Sequence, residues 1–176
     1  MNGLSAMLRY TMIVLATALM PGLVLAQGTE VAFGGAPQDT SAPIEVTADR
    51  LSVNQADGTA VYSGNVLVAQ GDMRMAAQQV LVVYAREQRA IDRIEATGGV
   101  TFVSGTEAAE ADRADYSLAD STVVMTGDVL LTQGLNALTS ERMVVNLKSG
   151  TAQLSGRVRT VLQQQDDEAG SQNGNP

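Results

Sequence analysis

Cysteine, histidine and tryptophan are missing from this 176-residue chain. Ser/His/Asp and Cys/His nucleophile systems, zinc sites and disulfides are therefore excluded, as is lipid attachment through an N-terminal cysteine. Aromatic residues are scarce, two Phe and four Tyr, too few for the interfacial girdles of a transmembrane barrel. Basic residues are the minority, 11 against 19 acidic, and the net charge of −8 repels nucleic acid and anionic membranes at long range, so no nucleic-acid partner is expected. Enzymatic chemistry would have to rest on carboxylates. The acidic run Glu107, Glu110, Asp112, Asp115 is the candidate for a glycosidase pair or a calcium site. Alternation places it on a solvated face, with no aromatic platform for sugar nearby. No enzyme activity, cofactor or metal is expected.

What is present begins with a secretion signal. Residues 1–26 carry Arg9 and no acid, an apolar stretch from Tyr10 to Leu25, and Val24-Leu25-Ala26 as a small-residue cleavage site. The stretch is short for a spanning helix and is interrupted by Pro21-Gly22. The alternative is a retained anchor. Residues 27–42 are rich in Gly, Pro and polar side chains and read as a flexible leader, with Val31-Ala32-Phe33 its one apolar element. Residues 163–176 read as a disordered acidic and polar tail, which leaves 43–162 as one folded domain.

That domain repeats. Gly-x-Val recurs at Gly64, Gly98, Gly127 and Gly156. A second motif precedes each copy: Ala48-Asp49-Arg50-Leu51, Ala77-Gln78-Gln79-Val80, Ala111-Asp112-Arg113-Ala114 and Ser140-Glu141-Arg142-Met143. From the last residue of that motif to the glycine the interval is 13 residues in copies one, three and four and 18 in copy two, which marks a five-residue insertion near Ala85–Ala90. From each glycine to the next copy's apolar residue it is always 16. A fixed period of about 29 residues indicates stacked supersecondary units.

Facing follows from alignment on the glycine. The columns four before (Ala60, Ile94, Val123, Ala152), two before (Tyr62, Ala96, Met125, Leu154), two after (Val66, Val100, Val129, Val158) and four after (Val68, Phe102, Leu131, Thr160) are apolar at 15 of 16 positions. The column one after is Asn65, Gly99, Asp128 and Arg157. Such period-2 alternation predicts antiparallel strands with one buried face. The marker glycine is expected on the apolar face, where it permits a bulge. Turns are expected at Asp57-Gly58, Asp120-Ser121 and Ser149-Gly150 at one end, and at Gly71, Gly105 and Gly134 at the other. The expected fold is an all-β, repeat-built antiparallel β-jellyroll: roughly a dozen to sixteen strands of about five residues, in two curved sheets with an apolar groove between them.

The run Tyr62-Ser63-Gly64-Asn65-Val66-Leu67-Val68-Ala69-Gln70-Gly71, with Ala48-Asp49 before it and Ala76-Ala77-Gln78-Gln79-Val80 after it, resembles the LptA/OstA-like family over about Ile44 to Leu162. Copy two departs from the pattern, with Gly98-Gly99-Val100. The resemblance implies a periplasmic β-jellyroll that carries lipopolysaccharide from an inner-membrane export complex to an outer-membrane translocon, both bearing the same module, with protomers joined head to tail. The membrane-tethered partner of the inner-membrane complex, a structural β-solenoid without lipid, and a carrier of another apolar ligand are the alternatives.

On this reading the groove that takes lipid A acyl chains is lined by Ile44, Val46, Leu51, Val53, Tyr62, Val66, Val68, Ile94, Val100, Phe102, Tyr116, Met125, Val129, Leu131, Met143, Val145, Leu154 and Val158. Arg50, Arg113 and Arg142 share one column and are the candidates for lipid phosphates at the groove mouth. Met73, Met75, Met125 and Met143 are either adaptable lining or core filler. Unpaired edges near Ile44–Leu51 and Val158–Leu162 are the candidates for strand addition between protomers.

Overall fold

The computed structural model describes residues 29–35, 37–85 and 90–163. The segment read as a secretion signal (1–26), the centre of the copy-two insertion (86–89) and the residues beyond 163 lie outside the described residues. Eleven strands form one antiparallel sheet: β1 (Thr29–Ala32), β2 (Glu45–Thr47), β3 (Arg50–Asn54), β4 (Thr59–Gln70), β5 (Met73–Tyr84), β6 (Ile91–Ser104), β7 (Glu107–Ser117), β8 (Thr122–Gln133), β9 (Asn136–Asn146), β10 (Thr151–Ser155) and β11 (Arg159–Val161). The order is β1-β10-β9-β8-β7-β6-β5-β4-β2, with β3 also on β4 and β11 also on β9. The sheet does not close.

The central strands are longer than alternation suggested, 11 to 14 residues in β4 to β9. Each runs unbroken through the marker motif, because that motif is a bulge and not a strand end. Between β4 and β5 the register steps from Ser63–Gln79 to Val66–Ala77, so Gly64 and Asn65 together oppose Gln78 alone. The same two-against-one step recurs between β6 and β7 (Gly98 and Gly99 against Asp112) and between β8 and β9 (Gly127 and Asp128 against Glu141). Bulged strands bend. A bulge in every second strand, all in one line, folds the sheet along a spine.

The dihedral angles explain the residue types. Gly64, Gly98, Gly127 and Gly156 have φ between 75° and 87°, and the next residue is also left-handed: Asn65 at 46°, Gly99 at 82°, Asp128 at 43°, Arg157 at 43°. Asn, Asp and Gly tolerate that conformation. The marker glycine does not sit on the apolar face as alternation implied. A Cβ at Gly64 would lie 2.5 Å from Asp49 Oδ2, at Gly127 2.3 Å from Asp112 Oδ2, and at Gly156 2.7 Å from the Glu141 Cβ. Positive φ turns the position outward, onto the exposed Asp/Glu column of the preceding strand. The two repeat motifs therefore face each other across the spine, which is why they recur together.

Folding makes two leaves. One holds β3, β10, β1 and the spans 59–63, 79–84, 91–97, 113–117, 122–126 and 142–146; the other holds β2, β11 and 66–70, 73–77, 100–104, 107–111, 129–133 and 136–140. At the two edges the ladder breaks at the spine, so β2 and β3, and likewise β10 and β11, are separate strands where the interior ones are continuous. The expected pair of sheets is one sheet doubled over. Its core lies between the leaves.

The leader also differs from expectation. Thr29–Ala32 pairs with Leu154–Thr151, and Phe33 is 1% exposed. The free edge of β10 supplies hydrogen bonds that the leader's polar composition did not reveal, and the apolar trio has a place to go.

Candidate functional site

The seam between the leaves is built from the inward-facing alternate positions of every strand. Of the eighteen residues expected to line it, twelve are buried: Val66, Val68, Ile94, Val100, Phe102, Tyr116, Met125, Val129, Leu131, Met143, Val145 and Leu154. Ile44, Val46 and Tyr62 are half-buried and pack against them. Leu51, Val53 and Val158 are exposed, at 56%, 59% and 36%. Exposure does not mean an outward direction. Leu51 and Val53 pair with Tyr62 and Ala60 and share their inward face, but no strand lies beyond β3 to cover them. Thr160 likewise sits opposite buried Leu138. The apolar interior thus runs from edge to edge and ends uncovered, on Leu51 and Val53 at one end and on Val158 and Leu162 at the other. At the first end a cavity of about 800 Å³ opens among Val53, Asp57, Thr59, Tyr84 and neighbours.

Several lining residues escaped the sequence reading: Val80, Val82, Ala109, Leu138, Leu147 and Phe33. Those on β5, β7 and β9 lie on the strands returning from each glycine-bearing one. Their alternation also changes phase at the spine, at Gln78, Asp112 and Glu141, and that phase change was the available signal. The four methionines in question are all buried to 1% or less.

The arginines lie elsewhere than expected. Arg50, Arg113 and Arg142 are exposed at the spine, on the outside of the fold and away from the mouth. Arg113 donates to Asp115 at 3.1 Å and to Glu95 at 2.7 Å, and Arg93 joins Glu95 at 2.7 Å. Hydrogen bonding and charge from Asp115, with Glu95 adding to both, hold the Arg113 guanidinium above even its ordinary basicity. Its charge is already matched. The acidic run is likewise dispersed: Glu107 accepts from the Gly34 N–H, Asp115 pairs with Arg113, and Asp112 covers a marker glycine. Among the described residues no three acidic side chains converge on one point.

The polar contents of the seam are few. Tyr116 Oη donates to Gln70 Oε1 at 2.8 Å, joining the tips of the two leaves, and Gln70 Nε2 donates to the carbonyls of Thr40 and Ala42 at 2.9 and 3.0 Å. Burial raises the pKa of Tyr116, partly offset by the Gln70 bond, and raises that of Tyr62, with Tyr84 beside it adding to the effect. Ser104 Oγ is buried with no partner. Phe33 stacks on Phe102, centroids 5.4 Å apart and planes within 7°. The space between the leaves is thus lined almost entirely by apolar side chains.

Comparison with known proteins agrees with this geometry. The family model described as LptA/(LptD N-terminal domain) LPS transport protein matches residues 45–151. An uncharacterized protein of Rhizobium meliloti (strain 1021) is 30% identical over 162 residues, covering 86% of this chain and 87% of its own. The lipopolysaccharide export system protein LptA of Escherichia coli (strain K12) is 27% identical over 134 residues, 70% of this chain and 72% of its own. Among solved structures, LptH of Pseudomonas aeruginosa, described as the LptA-homologous periplasmic component of the lipopolysaccharide transport device, superposes with a TM-score of 0.65 at 20% identity, covering 73% of this chain and all of that one. That likeness is one of fold.

Proposed function

The chain belongs to the LptA/LptD N-terminal-domain family of lipopolysaccharide transport proteins, and from that premise we propose that it is a periplasmic carrier whose seam takes lipid A acyl chains. It passes lipopolysaccharide from the inner-membrane export complex toward the outer-membrane translocon, as copies joined head to tail. The observation that carries this reading is the apolar interior that continues from one sheet edge to the other and is uncovered at both ends. A globular core is normally capped. Here the ends resemble cross-sections of a longer channel, which a second copy or a related module would continue.

The magnitudes suit a lipid. Each buried methylene is worth ~0.8 kcal/mol, so one acyl chain of about a dozen carbons gains roughly 10 kcal/mol before ordering costs. No charge is needed. Because Arg50, Arg113 and Arg142 sit at the spine, they are not assigned to the lipid phosphates. The test is co-migration: purified mature protein mixed with lipid A should carry it through gel filtration, and Tyr62→Glu, which puts a carboxylate on a half-buried inward position, should lose it while keeping the wild-type circular dichroism. Equal retention by that folded variant overturns the proposal.

A further inference from the structure

We propose that the segment bearing Phe33 is a displaceable strap across the mouth of the seam, and that Phe33 holds a place taken by an acyl chain in the loaded protein. This rests on reading the seam as the lipid site. The mouth is the side opposite the spine, where the turns of the two leaves converge. Residues 33–35 and 37–42 touch both sets of turns. On one leaf the Phe33 N–H donates to Gly150 O and the Gln38 N–H to Leu147 O. On the other, Gly34 N–H donates to Glu107 Oε2, and Gln70 and Gln133 donate to the carbonyls of Thr40, Ala42 and Ala32. Gly105 lies so close beneath that a Cβ there would stand 2.7 Å from Gly34 O. While these contacts hold, no headgroup can occupy the mouth.

Little of the strap is buried. Phe33 and Gly34 are covered, whereas Gly35, Pro37, Asp39 and Ser41 are exposed. One phenyl ring therefore supplies nearly all its apolar anchoring, and an acyl chain of about a dozen carbons offers the same site more apolar surface. Exchange favours the lipid. Directly under Gly34 lies the Ser104 hydroxyl, 0% exposed and without a partner; a Cβ at Gly34 would approach its Oγ to 2.6 Å. A buried hydroxyl without a hydrogen bond disfavours the closed form and is relieved when the mouth opens to water or a polar headgroup. Gly34 and Gly35, at φ 85° and 66°, provide a backbone free to swing. With the mouth open, the lipid's chains lie in the seam and its polar part is left outside.

The native chain has no cysteine and no tryptophan, so two clean probes exist. A Cβ at Gly71 would lie 4.0 Å from the Asp39 Cβ, within the span of a disulfide. In the full mature chain carrying Asp39→Cys and Gly71→Cys, the oxidised form should capture lipid A at least about tenfold less than the same protein reduced, because its competent state is depopulated. Independently, Phe33→Trp should show a red-shifted emission and greater iodide quenching when lipid A is added. Equal capture by oxidised and reduced protein, or an indole that stays buried in the lipid-bound state, overturns the strap while leaving the seam intact. Absence of lipid A capture by the wild type overturns the seam reading itself.

Discussion

At the scale of single residues, the marker glycine and the acid facing it form one unit. Gly127 combines φ 82° with an Asp112 side chain 2.3 Å from where a Cβ would stand. Gly134 has φ 58° and nothing within 4 Å. Gly127→Ala should therefore cost about 2–4 kcal/mol, strain plus collision, against ~1 kcal/mol for Gly134→Ala, strain alone. Chemical denaturation of both variants checks this, and equal losses would remove the close approach as the reason for the motif. Tyr116 gives a second test. Tyr116→Phe leaves Gln70 Oε1 without its buried donor and should lose about 1–2 kcal/mol at neutral pH. Because burial raises the Tyr116 pKa in the folded state, wild-type stability is fully present below the ordinary tyrosine pKa and declines as pH rises through the raised one. The gap between wild type and Tyr116→Phe should narrow in alkali. At this scale the sequence showed that glycine was required and misjudged where it points, since the strand period is undefined inside a bulge.

At the scale of elements, alternation located the strands but not their ends. The inward columns were legible: Ala60, Ile94, Val123 and Ala152 are all buried to 2% or less. Continuity through the spine was not, because a two-against-one step looks like a strand boundary when only one strand is read. The fourth copy shows the limit of the repeat. Val158 and Thr160 occupy columns that are buried in copies one to three, yet both are exposed, because β11 is an edge. The leader was illegible for a different reason, since its pairing with β10 is a contact more than 100 residues distant in sequence, between Thr29 and Leu154. The edges carry the next prediction. β2 and β3 bound one end, and β1 and β11 the other, so proline at Val46 or Thr160 should shorten head-to-tail oligomers by removing a ladder donor. Sedimentation velocity across a concentration series should show smaller species for either variant, with unchanged melting. Oligomers of wild-type length in both would place the interface elsewhere.

For the whole molecule, a doubled sheet whose interior is apolar but for a few groups such as Gln70 and Ser104, and uncovered at both ends, accounts for the composition of the chain. Few aromatics are needed where valine, methionine and alanine fill narrow space between two leaves. The most direct measurement is photo-crosslinking from inside and outside the seam. Benzophenone-bearing residues replacing Phe102, Tyr62 or Tyr116 should capture lipopolysaccharide in the native envelope. The same probe at Asn65 or Asp128, both exposed on the spine, should capture none; equal labelling from the two sets would contradict a lipid held between the leaves.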